Sequence, residues 1–165
     1  MTSPTMPAIR VDHVGIAVDS VPDAEGLLFA FGCEKIHEER SEYGEFTWAT
    51  YVLGDASRLE LIAPDDGTNS FLTDFLERNG PGLHHVTLEV ADLEAAVEAL
   101  DAAGVSVVDR QTFEHWHEAF VTPQNPTGVL FQLMEYREGY ADDRAAGDRL
   151  FVHGVPVPDR RDSTR

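Results

Sequence analysis

Cysteine and lysine are nearly absent from this chain, which has one of each among its 165 residues, Cys33 and Lys35. A lone thiol excludes an internal disulfide and any cysteine-built zinc site. Cys33 directly follows a predicted helix, so we read it as a packed thiol and not as a nucleophile. Positive charge is scarce too. Twelve basic residues face thirty acids, a net charge of -18, and such a surface repels nucleic acid phosphates and anionic lipid alike. Neither nucleic acid nor a membrane is an expected partner. The apolar run around Val14 to Val18 is far shorter than the roughly 20 residues that span a bilayer. The chain does not open on a basic-then-apolar signal pattern, so a cytoplasmic location is expected. There is no glycine-rich phosphate loop and no Gly-x-Ser-x-Gly elbow. Acids in this excess, with arginine standing almost everywhere for lysine, suit a halophilic cytoplasm. In molar salt the Debye length falls to about 3 Å, so dense acidic charge repels little while keeping the protein hydrated.

Apolar residues make up 42% of the sequence, enough for one ordinary domain or two small modules. The second arrangement is indicated by an internal repeat. Asp12-His-Val-Gly-Ile-Ala-Val18 aligns with His84-His-Val-Thr-Leu-Glu-Val90, placing His13 on His85 at an offset of 72 residues. That offset also carries Leu28 to Leu100, Gly32 to Gly104, and Leu59-Glu60-Leu61 to Phe131-Gln132-Leu133, with no gap required.

Each copy reads as βαβββ. In the first, Val11 to Val18 alternates as a strand, Ser20 precedes a helix with Val21, Ala24, Leu28 and Phe31 on one face, and Gly32 is placed to end it. Strands are predicted at Glu34 to Glu39, Phe46 to Leu53 and Arg58 to Ile62, with turns at Tyr43-Gly44 and Gly54-Asp55. The second copy predicts a strand at Leu83 to Val90 and a helix from an Asp92 cap to Ala103. Its remaining strands fall near Val105 to Val108, His117 to Val121 and Val129 to Tyr136. The expected organisation is a first module at 9–64, a linking helix within 65–80 that buries Phe71, Leu72, Phe75 and Leu76, a second module at 81–138, and a C-terminal arm at 139–165 with an apolar patch at Leu150 to Val157.

Side chains alternate across a strand, so His13 and His85 point away from the face carrying Val14, Ile16 and Val18 and its repeat mate. Glu60 and Gln132, each flanked by apolar residues, point the same way. A repeat-related pair of modules brings such positions together about its pseudo-twofold axis. Two imidazoles, a carboxylate and an amide oxygen form a donor set for cobalt, nickel, manganese, iron or zinc, with coordination positions left for a substrate. His84 faces oppositely and reads as structural. His115 and His117, two apart, form a rival metal pair or line a pocket, and His37 and His153 carry no pattern.

These motifs, with Arg58-Leu-Glu-Leu-Ile-Ala-Pro64, Pro81-Gly-Leu-His-His-Val86 and Gly128-Val-Leu-Phe-Gln-Leu133, resemble the vicinal oxygen chelate superfamily, and within it the methylmalonyl-CoA epimerase branch. The resemblance covers Ile9 to Tyr136. It implies an α+β fold of paired βαβββ modules forming a cupped mixed sheet with helices outside, a divalent metal on His13, Glu60, His85 and Gln132, and a homodimer. It also implies an isomerase that removes and returns a proton through a metal-stabilised enolate, with an acyl-CoA thioester as substrate. A glyoxalase-type lyase, another metal enzyme of the superfamily, or a non-catalytic resistance-type binding protein are the alternatives. This sequence departs from the epimerase pattern, which has an acid at the second closing-strand position and another on the strand after the turn at Tyr43-Gly44. Here Gln132 and, anchoring the alignment on Gly44, Thr47 stand there. Glu60 is then the candidate base, with Glu42 and Glu45 as neighbouring acids. The glutamate that extradiol oxygenases need falls on Gln132, which disfavours that branch.

Overall fold

The computed structural model describes residues 4–42, 45–54, 57–137, 151–152 and 155–156. The chain divides into two compact units, one spanning His13–His84 and the other combining Met1–Asp12 with His85–Arg165. The divisions fall at His13 and His85, the two histidines that the repeat superposes.

In the His13–His84 unit, strand β1 (Ile9–Ala17, entering the unit at His13) leads to helix α1 (Val21–Ala30), then β2 (Glu34–Arg40), β3 (Phe46–Leu53), β4 (Ser57–Pro64) and helix α2 (Phe71–Asn79). The strand order is β2-β3-β4-β1, with β1 parallel to β4 and the other pairs antiparallel. Val18, Val21, Leu28, Ala49, Tyr51, Leu61 and Ala63 form the core between α1 and one face of this sheet. Burial of each valine and leucine among them contributes roughly 1.5–3 kcal/mol. Helix α2 closes on the other face, where Leu72 packs against Ala17 and Ile62. Phe75 and Leu76 are half-buried there, as expected, but Phe71 is 50% exposed. Phe31 is likewise 62% exposed, because the run Leu27 to Phe31 at the end of α1 is apolar on every side and only Leu28 can face the sheet.

The other unit repeats the plan with β5 (Gly82–Val90, entering at His85), α3 (Leu93–Ala102), β6 (Val108–Thr112), β7 (Trp116–Val121) and β8 (Leu130–Tyr136). Its order is β5-β8-β7-β6, with β5 parallel to β8. Val90, Leu93, Ala96, Val97, Ala119 and Leu133 form its core under α3. The α+β class and the paired βαβββ modules agree with the sequence reading.

Both helices end on the glycine that the repeat aligned. The amide of Cys33 donates to the Leu28 carbonyl at 3.0 Å and that of Gly32 to Phe29 at 2.9 Å, the two bonds of a Schellman cap, with Gly32 at φ 84°. Val105 to Leu100 (2.9 Å) and Gly104 to Asp101 (3.0 Å) reproduce the cap, with Gly104 at φ 77°. This places Cys33 where the motif wants an apolar contact against Leu28, and the thiol is buried. It also corrects one strand. The segment Val105 to Val108 was expected to be extended, but Val105 is used by the cap and pairing begins only at Val108. Asp109 has φ 53° beside the irregularity between Val108 and Gln111.

The gap-free repeat also needs correction. Thr50 lies opposite Glu60 and Phe120 opposite Gln132. From Glu60 to Gln132 the offset is 72, yet from Thr50 to Phe120 it is 70, so the second hairpin carries two more residues in its connection.

The turn at Tyr43-Gly44, Asp55, His153 and most of the C-terminal arm lie outside the described residues. Within the arm, β9 (Phe151–Val152) and β10 (Val155–Pro156) pair antiparallel. Among the described residues no helix is long and apolar enough to cross a membrane.

Candidate metal centre

In the His13–His84 unit, Gly15 pairs with Glu60 across the parallel β1–β4 ladder, which sets Glu60 beside the strand that carries His13. The His13 ring is buried, and its Nε2 stands 3.5 Å from Glu60 Oε2. That spacing is longer than a good charge-assisted hydrogen bond. It suits two ligands of one cation, since donors each about 2.1 Å from a metal and roughly 90–110° apart are separated by about 3–3.5 Å. The donor chemistry, imidazole nitrogen with carboxylate oxygen, fits a first-row divalent ion.

In the other unit, His85 is 8% exposed and shares the β5 face with Thr87, which is completely buried. Thr87 pairs with Gln132 on β8 and donates from Oγ1 to Gln132 Oε1 at 2.6 Å. The same amide donates from Nε2 to Glu118 Oε2 at 2.9 Å, and Trp116 Nε1 donates to that oxygen at 2.9 Å. Glu118 is buried, which raises its pKa above the usual carboxylate value, and the hydrogen bonds from Trp116 and Gln132 oppose the shift. A second polar cluster ties the N-terminal residues to this unit. Arg10 binds both Glu89 (2.6 Å) and Asp12 (3.2 Å), and Tyr136 donates to Asp12 at 2.7 Å.

The structure thus sets His13 with Glu60 in one unit, and brings Gln132 against Thr87 on the strand of His85 in the other. Glu118 and Thr87 were missed by sequence reasoning. The signal for Glu118 was its place two residues before Phe120, the residue facing Gln132, but it is readable only once the hairpin register is known.

Thr47 does not share the Glu60 face of the first unit. It pairs with Ala63, whose side chain lies in the α1 core, so Thr47 faces away from Glu60 and donates to Asp65 at 2.9 Å. Trp48, opposite Ile62, is the residue on the Glu60 face. Glu42 and Glu45 are exposed near the β2–β3 turn. His84 lies against the Phe71 and Phe75 rings of α2, centroids 5.7 and 4.8 Å away, and burial lowers its pKa. His115 precedes β7. His117, on the face opposite Glu118, shares a hydrogen with Thr112 at 2.9 Å and lines a cavity of about 330 Å³ with Asp92, Glu94, Arg110 and Glu135. His37 is 2.9 Å from Glu39.

Comparison with known proteins agrees with this architecture. Residues 12–121 match the model of the Glyoxalase/Bleomycin resistance protein/Dioxygenase superfamily. An uncharacterised Bacillus subtilis protein, YqjC, is 35% identical over 130 residues, covering 76% of this chain and 91% of the relative. The crystal structure of methylmalonyl-CoA epimerase from Mycobacterium tuberculosis superposes with TM-score 0.70 at 29% identity, covering 80% of this chain and 91% of that one. A Streptomyces coelicolor methylmalonyl-CoA epimerase variant in complex with 2-nitronate-propionyl-CoA gives TM-score 0.69 at 26% identity, over 81% and 97% of the two chains. The neighbours carry the epimerase branch of the resemblance, and the chain belongs to the Glyoxalase/Bleomycin resistance protein/Dioxygenase superfamily.

Proposed function

We propose that this protein is a divalent-metal-dependent epimerase acting on an acyl-CoA thioester, with His13, Glu60, His85 and Gln132 as ligands of one cation. The observation that carries the reading is the 3.5 Å separation of His13 Nε2 and Glu60 Oε2, which suits a shared ion better than a direct bond. The repeat supplies the matching half, since His85 and Gln132 stand at the equivalent strand positions. The ligand in the Streptomyces structure supplies the substrate class.

When bound, the metal supplies Lewis-acid polarisation of a substrate carbonyl, which acidifies the carbon beside it. His13 and His85 are neutral donors and Glu60 contributes one negative charge, so the centre stays net positive. In this reading Glu60 also takes the proton from that carbon and returns it, and its carboxylate, 13% exposed, lies beside His13. Thr47 is turned away and Gln132 is an amide, so neither can share that duty.

The coenzyme A phosphates are expected to rely on arginine. Arg40 is bound by Asp65 and Arg110 by Glu94, so either must exchange an acid for a phosphate, and high ionic strength would screen the repulsion between the phosphates and the acidic surface. The protein is proposed to work as a homodimer.

Metal analysis of the purified protein, followed by deuterium exchange into methylmalonyl-CoA in heavy water with each metal restored, tests the proposal. Exchange that needs metal and is lost in Glu60→Ala is expected. Bound metal without exchange removes the epimerase and leaves a lyase, whereas absent metal affinity leaves a binding protein.

A further inference from the structure

We infer that Glu118 and Thr87 orient the side-chain amide of Gln132, so that its oxygen and not its nitrogen is offered to the cation. The inference rests on the reading of Gln132 as a ligand and adds positioning residues to it.

The two ends of a glutamine amide have nearly the same shape and opposite chemistry. Only the oxygen can bind a divalent cation, so an amide ligand turned by half a rotation is no ligand. A carboxylate has no such problem, because both ends are oxygen. The two closing-strand positions of this protein differ in that respect, and their surroundings differ to match.

Around Gln132 the hydrogen bonds are directional at every link. The Trp116 indole can only donate, and it does so to Glu118 Oε2 at 2.9 Å. As a carboxylate Glu118 can only accept, so the amide nitrogen must face it, at 2.9 Å. The oxygen is then turned toward Thr87, whose hydroxyl donates to it at 2.6 Å and leaves its second lone pair available. Thr87 is completely buried and Glu118 is 9% exposed, so water has little part in setting this order.

Around Glu60 the same device is missing at both corresponding places. Gly15 pairs with Glu60 as Thr87 pairs with Gln132. Trp48 stands two residues before Thr50, which faces Glu60, as Glu118 stands two before Phe120, which faces Gln132. The hydroxyl and the carboxylate accompany the amide, and the half with the carboxylate ligand has neither.

The test measures cobalt(II) affinity by chelator competition, and the visible cobalt spectrum, on the full chain. Glu118→Gln keeps the shape and removes the one-way acceptor, and Thr87→Val removes the donor. Each is expected to weaken cobalt binding by about 10- to 100-fold, the usual effect of losing a group that orients a ligand, and to alter the cobalt spectrum. In a Gln132→Glu background, where orientation no longer matters, Glu118→Gln should leave affinity unchanged or raise it. Equal losses in both backgrounds, or no loss in either, would overturn the inference while the metal site stands. If the wild-type protein binds no cobalt, or His13→Ala binds as well as wild type, the metal reading itself fails and takes the inference with it.

Discussion

The Tyr51 hydroxyl donates a 2.8 Å hydrogen bond to Glu25, although the tyrosine is completely buried beneath α1. Lys35 binds the same carboxylate oxygen at 2.8 Å. The chain's one lysine and a core tyrosine therefore share one carboxylate oxygen of the first helix, and Lys35 pairs with Glu38 as well.

Those contacts lower the Glu25 pKa, first through the bond from Lys35 and then through that from Tyr51. A carboxylate whose folded pKa is depressed adds stability above its unfolded pKa, near 4.5, and loses it as pH falls through the folded value. Glu25→Gln should therefore lower Tm at pH 7, and the gap from wild type should close below the usual carboxylate range. Thermal melts from pH 7 to pH 3 check this. A gap that stays constant with pH would mean that charge plays no part.

The two candidate helix caps should behave differently. Asp92 accepts from the Ala95 amide at 2.9 Å, whereas Ser20 makes no side-chain cap bond. Asp92→Ala is expected to destabilise by about 1 kcal/mol and Ser20→Ala by much less, as read by urea unfolding.

Leu72 is the anchor of α2 and is fully buried against Ala17 and Ile62. Leu72→Ala should cost about 2–5 kcal/mol. The neighbouring Phe71→Ala should cost far less, because half of that side chain is exposed. Chemical denaturation of the two variants compares them directly.

His13→Ala and His85→Ala should each reduce divalent-metal affinity by more than the roughly 10- to 100-fold expected of an orienting residue. Isothermal titration with cobalt or zinc measures it. Retention of wild-type affinity in either variant would refute the shared centre.

Stability should rise with potassium chloride if the acidic surface is an adaptation to salt, since screening removes repulsion among thirty acids. Melting curves from dilute buffer to molar salt decide the matter. Highest stability in dilute buffer would identify the protein as acidic but not halophilic.

Elements whose signals are local were legible beforehand. The β3 boundaries, Phe46 and Leu53, were predicted from apolar alternation between turn residues. The stop at Gly32 and Gly104 followed from the need for positive φ. The start of β6 was not legible, because Val105 reads as a strand residue unless one knows that its amide completes a helix cap.

The sequence by itself determined the two βαβββ copies, the helix ends and the equivalence of His13 and His85 in the repeat, because strand alternation, helix periodicity and glycine's backbone freedom act within a few residues of chain and recur in each copy. Only the tertiary structure decided which face Thr47 takes, the two-residue difference between the hairpins, and the Trp116–Glu118–Gln132–Thr87 chain. Those depend on the register between strands, and a hydrogen bond linking residues 45 apart in sequence, such as that from Thr87 to Gln132, leaves no local trace of its direction.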